Sequence, residues 1–233
     1  MSVITATGAY KERLTFSRWL TRHWLEPFLL IYGVWVILPF LAPVFMRLGW
    51  TTAGNGLYFF YSFFCHQLPE RSIFFFGPKS MYSLNEIQAA WQTTFDPLLL
   101  RKFVGNEALG WKVAWSDRMI SFYSSIWLAA LIWRPFQRKI KPLPLWAFAL
   151  LLLPIALDGG THLLSDFAGI GQGFRDTNQW LVLLTNNSLP ASFYAGDALG
   201  SINSWLRLIT GALAGVGIVW FVFPYLQESL EVG

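Results

Sequence analysis

Four apolar runs, each near the length that crosses a bilayer, leave this 233-residue chain few folds to choose from. A helix of about 20 apolar residues spans the hydrocarbon core, and a helix satisfies every backbone polar group internally where no water can. The runs cover residues 22–46, interrupted by Pro39 and Pro43, then 118–133, 144–164 and 205–226. Each is rich in Leu, Ile, Val, Phe and Trp and lacks the alternating polarity of barrel strands. Only 13% of the residues are charged, against roughly 25% in an ordinary soluble domain. The expected fold is therefore an all-α integral membrane protein with four main transmembrane helices, a single polytopic domain over residues 1–233.

Lys and Arg in short flanks orient such a bundle. Lys11, Arg13, Arg18 and Arg22 precede the first run, and Arg134, Arg138, Lys139 and Lys141 crowd the link between the second and third. Placing both clusters in the cytoplasm puts both termini there. Asp117, Asp158, His162 and Asp166 then share the outer face. Residues 1–21 lead into an apolar stretch too long for a signal core and read as a retained anchor. The +4 charge does not argue for nucleic acid, because the basic residues flank spans and no reader motif is present. One cysteine excludes an internal disulfide framework.

Residues 57–76, LYFFYSFFCHQLPERSIFFF, could cross once, but a polar HQLPERS block splits them. A crossing here would reverse the basic link. The segment is therefore expected as a re-entrant or interfacial pair of half-helices, with Val113–Asp117 extending the second span. Residues 79–112 and 167–203 are expected to cap the outer face.

Asp158, His162 and Asp166 recur every four residues at the end of the third span. On a helix this spacing drifts only about 40° per step, so the three form one stripe. Ionisable groups at that depth are costly without a task or a partner. Four-residue spacing is how a helix aims two ligands at one metal, and imidazole with carboxylates suits zinc. Cys65 and His66 offer two more ligands if their segment reaches the same depth. Set against this, Asp158 and His162 could simply bond to a neighbouring helix, Ser116 and Asp117 could cap a helix, and Arg175–Asp176 reads as a loop ion pair. Asp197 or Ser201 could cap the last span, and Arg207 sits near its interface end.

Cys65–Ser72 (CHQLPERS), Ser116–Asp117 at a span entrance, and Pro154 followed by Asp158–Gly159 together resemble the predicted membrane proteins grouped as domain of unknown function 2085. The resemblance runs from about Leu57 to Asp166 and implies a multi-span membrane protein without an assigned activity. Ala114 stands where the family's pattern would place a cysteine, which removes one thiolate from any site the resemblance implies. A looser similarity, His162-x3-Asp166 to the last motif of lipid-phosphate phosphatases, lacks that family's companion motifs and is set aside.

These residues give a best expectation of a metal-dependent hydrolase for a lipid or lipid-linked substrate. A divalent ion, zinc favoured, would be held by Cys65, His66, Asp158, His162 and Asp166. The ion would lower the pKa of a bound water towards about 7, and Asp117 would act as general base or would orient an imidazole. A non-catalytic subunit or assembly factor of a larger membrane complex explains the same polar face. A small transporter fits less well, since 120–133 and 145–157 carry no Asp, Glu, His, Lys or Arg to continue a pathway.

Overall fold

The computed structural model describes residues 18–137 and 139–232; Lys11, Arg13 and Arg138 of the orientation argument, and the retained-anchor reading of most of 1–21, lie outside them. Among the described residues three helices are long and apolar enough to cross a membrane: α1 (Leu25–Arg47), α6 (Leu145–Asp166) and α10 (Ile202–Val232). Their bounds fall within a few residues of the runs expected at 22–46, 144–164 and 205–226.

The expected fourth span is α5 (Asp117–Trp133), a helix of 17 residues. At 1.5 Å per residue it is about 25 Å long, short of the roughly 30 Å hydrocarbon core. Four spans are thus not confirmed; three helices are candidate spans. The residues expected to lengthen it, Val113–Ser116, are a strand instead. α5 packs against both α10 and α1. Gly211 and Gly215 let α10 approach it: a Cβ on Gly211 would stand 3.0 Å from the Arg118 carbonyl, and one on Gly215 1.9 Å from Ser125 Oγ and 2.7 Å from the Phe122 carbonyl. α6 packs against α10 as well.

The all-α expectation needs a second correction. β1 (Ser72–Phe75), β2 (Gly105–Asn106) and β3 (Gly110–Ser116) form a small antiparallel sheet in the order β1-β3-β2. Gly110 adopts φ +76°, and a Cβ there would meet the Phe75 carbonyl at 2.2 Å, so the strand can start only at a glycine. Segment 57–76 is accordingly no helical pair. Its first part ends α2 (Thr51–Tyr61), which folds back on α1; a turn and a short 3₁₀ helix at Pro69–Arg71 follow, then β1. Trp115 of the sheet stacks on Tyr123 of α5 with centroids 4.6 Å apart and meets Tyr61 edge-on. Aromatic side chains therefore join sheet to bundle here.

The region 79–112 holds α3 (Leu84–Ala90), closed by a Ser83–Glu86 capping box, and α4 (Pro97–Leu100), capped by Asp96. Region 167–203 holds three short helices, α7 (Phe174–Thr177), α8 (Gln179–Leu184) and α9 (Ala191–Tyr194). One end of the bundle gathers the start of α1, the end of α5 and the C-terminal part of α10. Trp24 packs on Trp133 and Phe223 there and donates to Gln227 Oε1 at 2.8 Å. Arg134 reaches Glu26 at the same end. The opposite end carries the polar residues.

Candidate functional site

At that opposite end four arginines and four aspartates interlock. Arg207 of α10, 2% exposed, clamps Asp117 at the start of α5 through Nε and Nη2 at 2.7 and 2.8 Å. Its Nη1 donates to Asp197 Oδ1 at 2.5 Å. Arg71, just before β1, grips Asp166 with two 2.7 Å bonds and gives its Nε to Asp197 at 2.8 Å. Asp158 accepts from Arg118 at 2.7 Å and from Arg175 at 2.8 Å. The planar guanidinium fork suits such two-pronged contacts, which an ammonium could not make.

The stripe forms as its spacing predicts. Asp158 and His162 are buried on one face of α6, and Asp166 is one turn further on. His162 Nδ1 lies 3.4 Å from Asp158 Oδ1, while Nε2 lies 3.5 Å from Asp197 Oδ1 without the alignment of a hydrogen bond.

Above this lattice opens a cavity of about 370 Å³. Cys65, His66, Arg71, Ser116, Arg118, His162, Asp166 and Arg207 contribute its polar wall. Phe64, Met119, Leu163 and Phe167 form its apolar side, and three of them are also exposed on the outer surface: Phe64, Leu163 and Phe167. Distant parts of the chain thus meet at one depth. Asp117 and Asp158 lie behind the wall and do not line the cavity.

This geometry does not fit the expected metal. Among the described residues no group of three or more His, Cys, Asp or Glu is placed to hold an ion. The physical reason is that the carboxylates are already taken. Asp158 and Asp166 each accept from guanidinium, so a dication would have to compete with the three arginines already paired to them. Cys65 Sγ accepts from the Gln67 and Ser116 backbone N–H groups, each at 3.3 Å. His66 is exposed at the cavity edge. Asp117, expected as a base, is 1% exposed and bonded to Arg207 and Ser204. A base needs a free lone pair within reach of the substrate; Asp117 has neither access nor a spare acceptor facing the cavity.

Other expectations change too. Arg175 pairs with Asp158 rather than Asp176, whose Oδ2 instead accepts from the Gly173 N–H at 2.7 Å. Ser201 does cap α10, accepting from Ser204 N, while Asp197 belongs to the arginine lattice. Sequence reasoning also passed over Lys112, fully buried in β3, where its Nζ donates to the carbonyls of Gln67 at 2.6 Å and Arg101 at 2.8 Å. Burial pushes this ammonium down to about 7. Its bond to Gln67, together with the Gln67 Nε2 bond to Tyr58, holds Gln67 at φ 55° and so fixes the Cys65–Gln67 turn. The Cys-His-Gln motif owes its shape to that pair of contacts. A Lys inside an otherwise apolar GWKVAW strand was the one signal that could have exposed it.

Residues 107–221 match the family described as predicted membrane protein DUF2085. This is the family whose resemblance the motifs carried. The matched segment takes in Ser116–Asp117 and Asp158–Gly159, with Arg118, His162, Arg175, Asp197 and Arg207, and leaves Cys65–Gln67 outside. An uncharacterized protein of Methanocaldococcus jannaschii, MJ1492, is 25% identical over 199 residues, covering 82% of this chain and 85% of that protein. No solved structure matches the chain.

Proposed function

We propose that this membrane protein binds the anionic headgroup of a lipid or lipid-linked molecule in the arginine-lined cavity, with the apolar tail leaving past Phe64, Leu163 and Phe167. One observation carries the reading: the same cavity has guanidinium groups on one side and exposed apolar side chains on the other. Asp158 is shared by Arg118 and Arg175, so that corner holds one more positive charge than it holds carboxylates. Arg118 lines the cavity, and its Nε has no hydrogen-bond partner among the described residues. An anion in the cavity would balance that charge. Because the candidate bases are occupied by guanidinium, the geometry favours a binding role over hydrolysis, in keeping with a non-catalytic membrane component.

Dodecyl phosphate is expected to raise the thermal unfolding midpoint of the detergent-purified protein, and dodecanol is not. Arg118→Gln should weaken dodecyl phosphate binding by about tenfold or more, the scale of a lost charge-assisted hydrogen bond. Equal response to the phosphate and the alcohol, or an unaltered response in Arg118→Gln, would end this reading.

We place the end bearing Arg134, Lys139 and Lys141 in the cytoplasm, on the bias of Lys and Arg towards that side. The cavity then faces out, and both termini lie inside if α5 traverses with its neighbours. A membrane-impermeant maleimide should label Gln137→Cys, on a Cys65→Ser background, only after cells are opened. Labelling of intact cells reverses the assignment.

A further inference from the structure

We propose that a second cavity, behind Arg71 and Asp197, binds a small primary ammonium group from the aqueous phase. This cavity measures about 270 Å³ and is lined by Glu70, Ser83, Asn85, Asp176 and Asp197 with the backbone around Gly196. It is separate from the headgroup cavity, and the proposal does not depend on that reading.

Three carboxylates facing one space would not by themselves make a site. The deciding feature is Glu70. It is 3% exposed, and neither carboxylate oxygen has a hydrogen-bond partner among the described residues. Its nearest cation, the Arg71 Nε, stands 4.0 Å away and donates instead to Asp197. A buried carboxyl left without donors is costly, and native structures rarely keep one without a reason. The neighbouring carboxylates are spoken for: Asp197 by Arg71 and Arg207, Asp176 by the Gly173 N–H.

The electrostatics agree with that geometry. Burial pushes Glu70 up to about 7, with Arg71 opposing the rise and Asp197 adding to it. Asp176 is raised too, first by burial and then by Asp197. A cation placed beside either carboxylate would favour its ionised form. Asp197 stays ionised, because Arg71 and Arg207 outweigh its burial.

The class of cation follows from size and donors. The described carboxylates are not grouped tightly enough for a metal ion, and the space is larger than a bare ion needs. An alkylammonium brings three N–H donors on one nitrogen, for which the carboxylates of Glu70 and Asp176 and the side-chain oxygen of Asn85 are the acceptors lining the space. The lining comes from the segments around 70, 83–85, 95, 170–176 and 195–198, none of which lies in a candidate spanning helix. A water-soluble amine therefore has the access.

Calorimetric titration of the full-length protein in detergent with propylamine should give saturable binding, and tetramethylammonium, which has no N–H, should give none. Glu70→Gln, nearly the same shape, should weaken propylamine binding by about tenfold. Asp176→Asn should also weaken it, and Glu107→Gln, an exposed carboxylate elsewhere, should not. Failure of propylamine to bind the wild-type protein, full binding by Glu70→Gln, or equal heats with tetramethylammonium each overturns the proposal. So does binding of calcium or magnesium in place of the amine, or binding only of phosphatidylethanolamine in mixed micelles. The dodecyl phosphate titration reads the first cavity separately.

Discussion

Arg207→Met is expected to cost about 3–5 kcal/mol of stability, the range for breaking a buried ion pair from one side. The methionine matches much of the side chain's volume, so the loss is electrostatic. Asp117 would keep only a 3.3 Å contact to Ser204 and the Arg118 backbone N–H, while buried to 1%. Asp197 would fall back on Arg71 alone. Adding Asp117→Asn to Arg207→Met should recover part of the stability, because the stranded charge is then removed. Intrinsic tryptophan fluorescence during unfolding in detergent reads both variants. A single variant within about 0.5 kcal/mol of wild type would mean that the lattice is no more consequential than an ordinary surface position.

Gly215→Leu is expected to be similarly damaging, at about 3 kcal/mol, by a different route. Ser125 Oγ could rotate away from a new Cβ, but the Phe122 carbonyl at 2.7 Å is backbone and can yield only if α5 and α10 separate. Separation would also draw Arg207 from Asp117, so packing and electrostatics fail together. Gly160 of α6 is the contrast. A Cβ there meets nothing within 4 Å, so Gly160→Ala should be neutral or stabilise by about 0.5–1 kcal/mol through helix propensity. Comparing the two substitutions under one unfolding protocol checks the assignment, and equal effects would contradict the close approach of α5 and α10.

Much of the architecture was legible because the bilayer imposes length. Runs of leucine, isoleucine and phenylalanine located α1, α6 and α10 to within a few residues. The period of four located the face of α6 that carries Asp158 and His162. The sheet escaped because SIFF and GWKVAWS are short apolar segments, which periodicity cannot tell from buried helix. Only the glycines at 105 and 110 hinted at a strand pair.

The site was legible in its members and not in its pairing. Arg71, Arg118, Arg175 and Arg207 lie scattered over more than half the chain, and Arg71, Arg175 and Arg207 each had a local explanation: motif residue, loop pair, interface residue. That their carboxylate partners would come from other helices could not be read from spacing. It reversed the chemistry expected, since aspartates that look like metal ligands when considered alone are neutralised when guanidinium groups meet them.

The direct run of β3 into α5, with Ser116 ending one and Asp117 beginning the other, leaves no slack residue between sheet and membrane bundle. The ladder therefore indexes the helix. Sliding β3 by one position would invert which of its side chains face inward and turn α5 by about 100°. Asp117 would then swing off Arg207, and Arg118 off Asp158. A three-stranded ribbon outside the candidate spanning helices thus acts as the rotational stop that keeps a transmembrane-end charge lattice in phase.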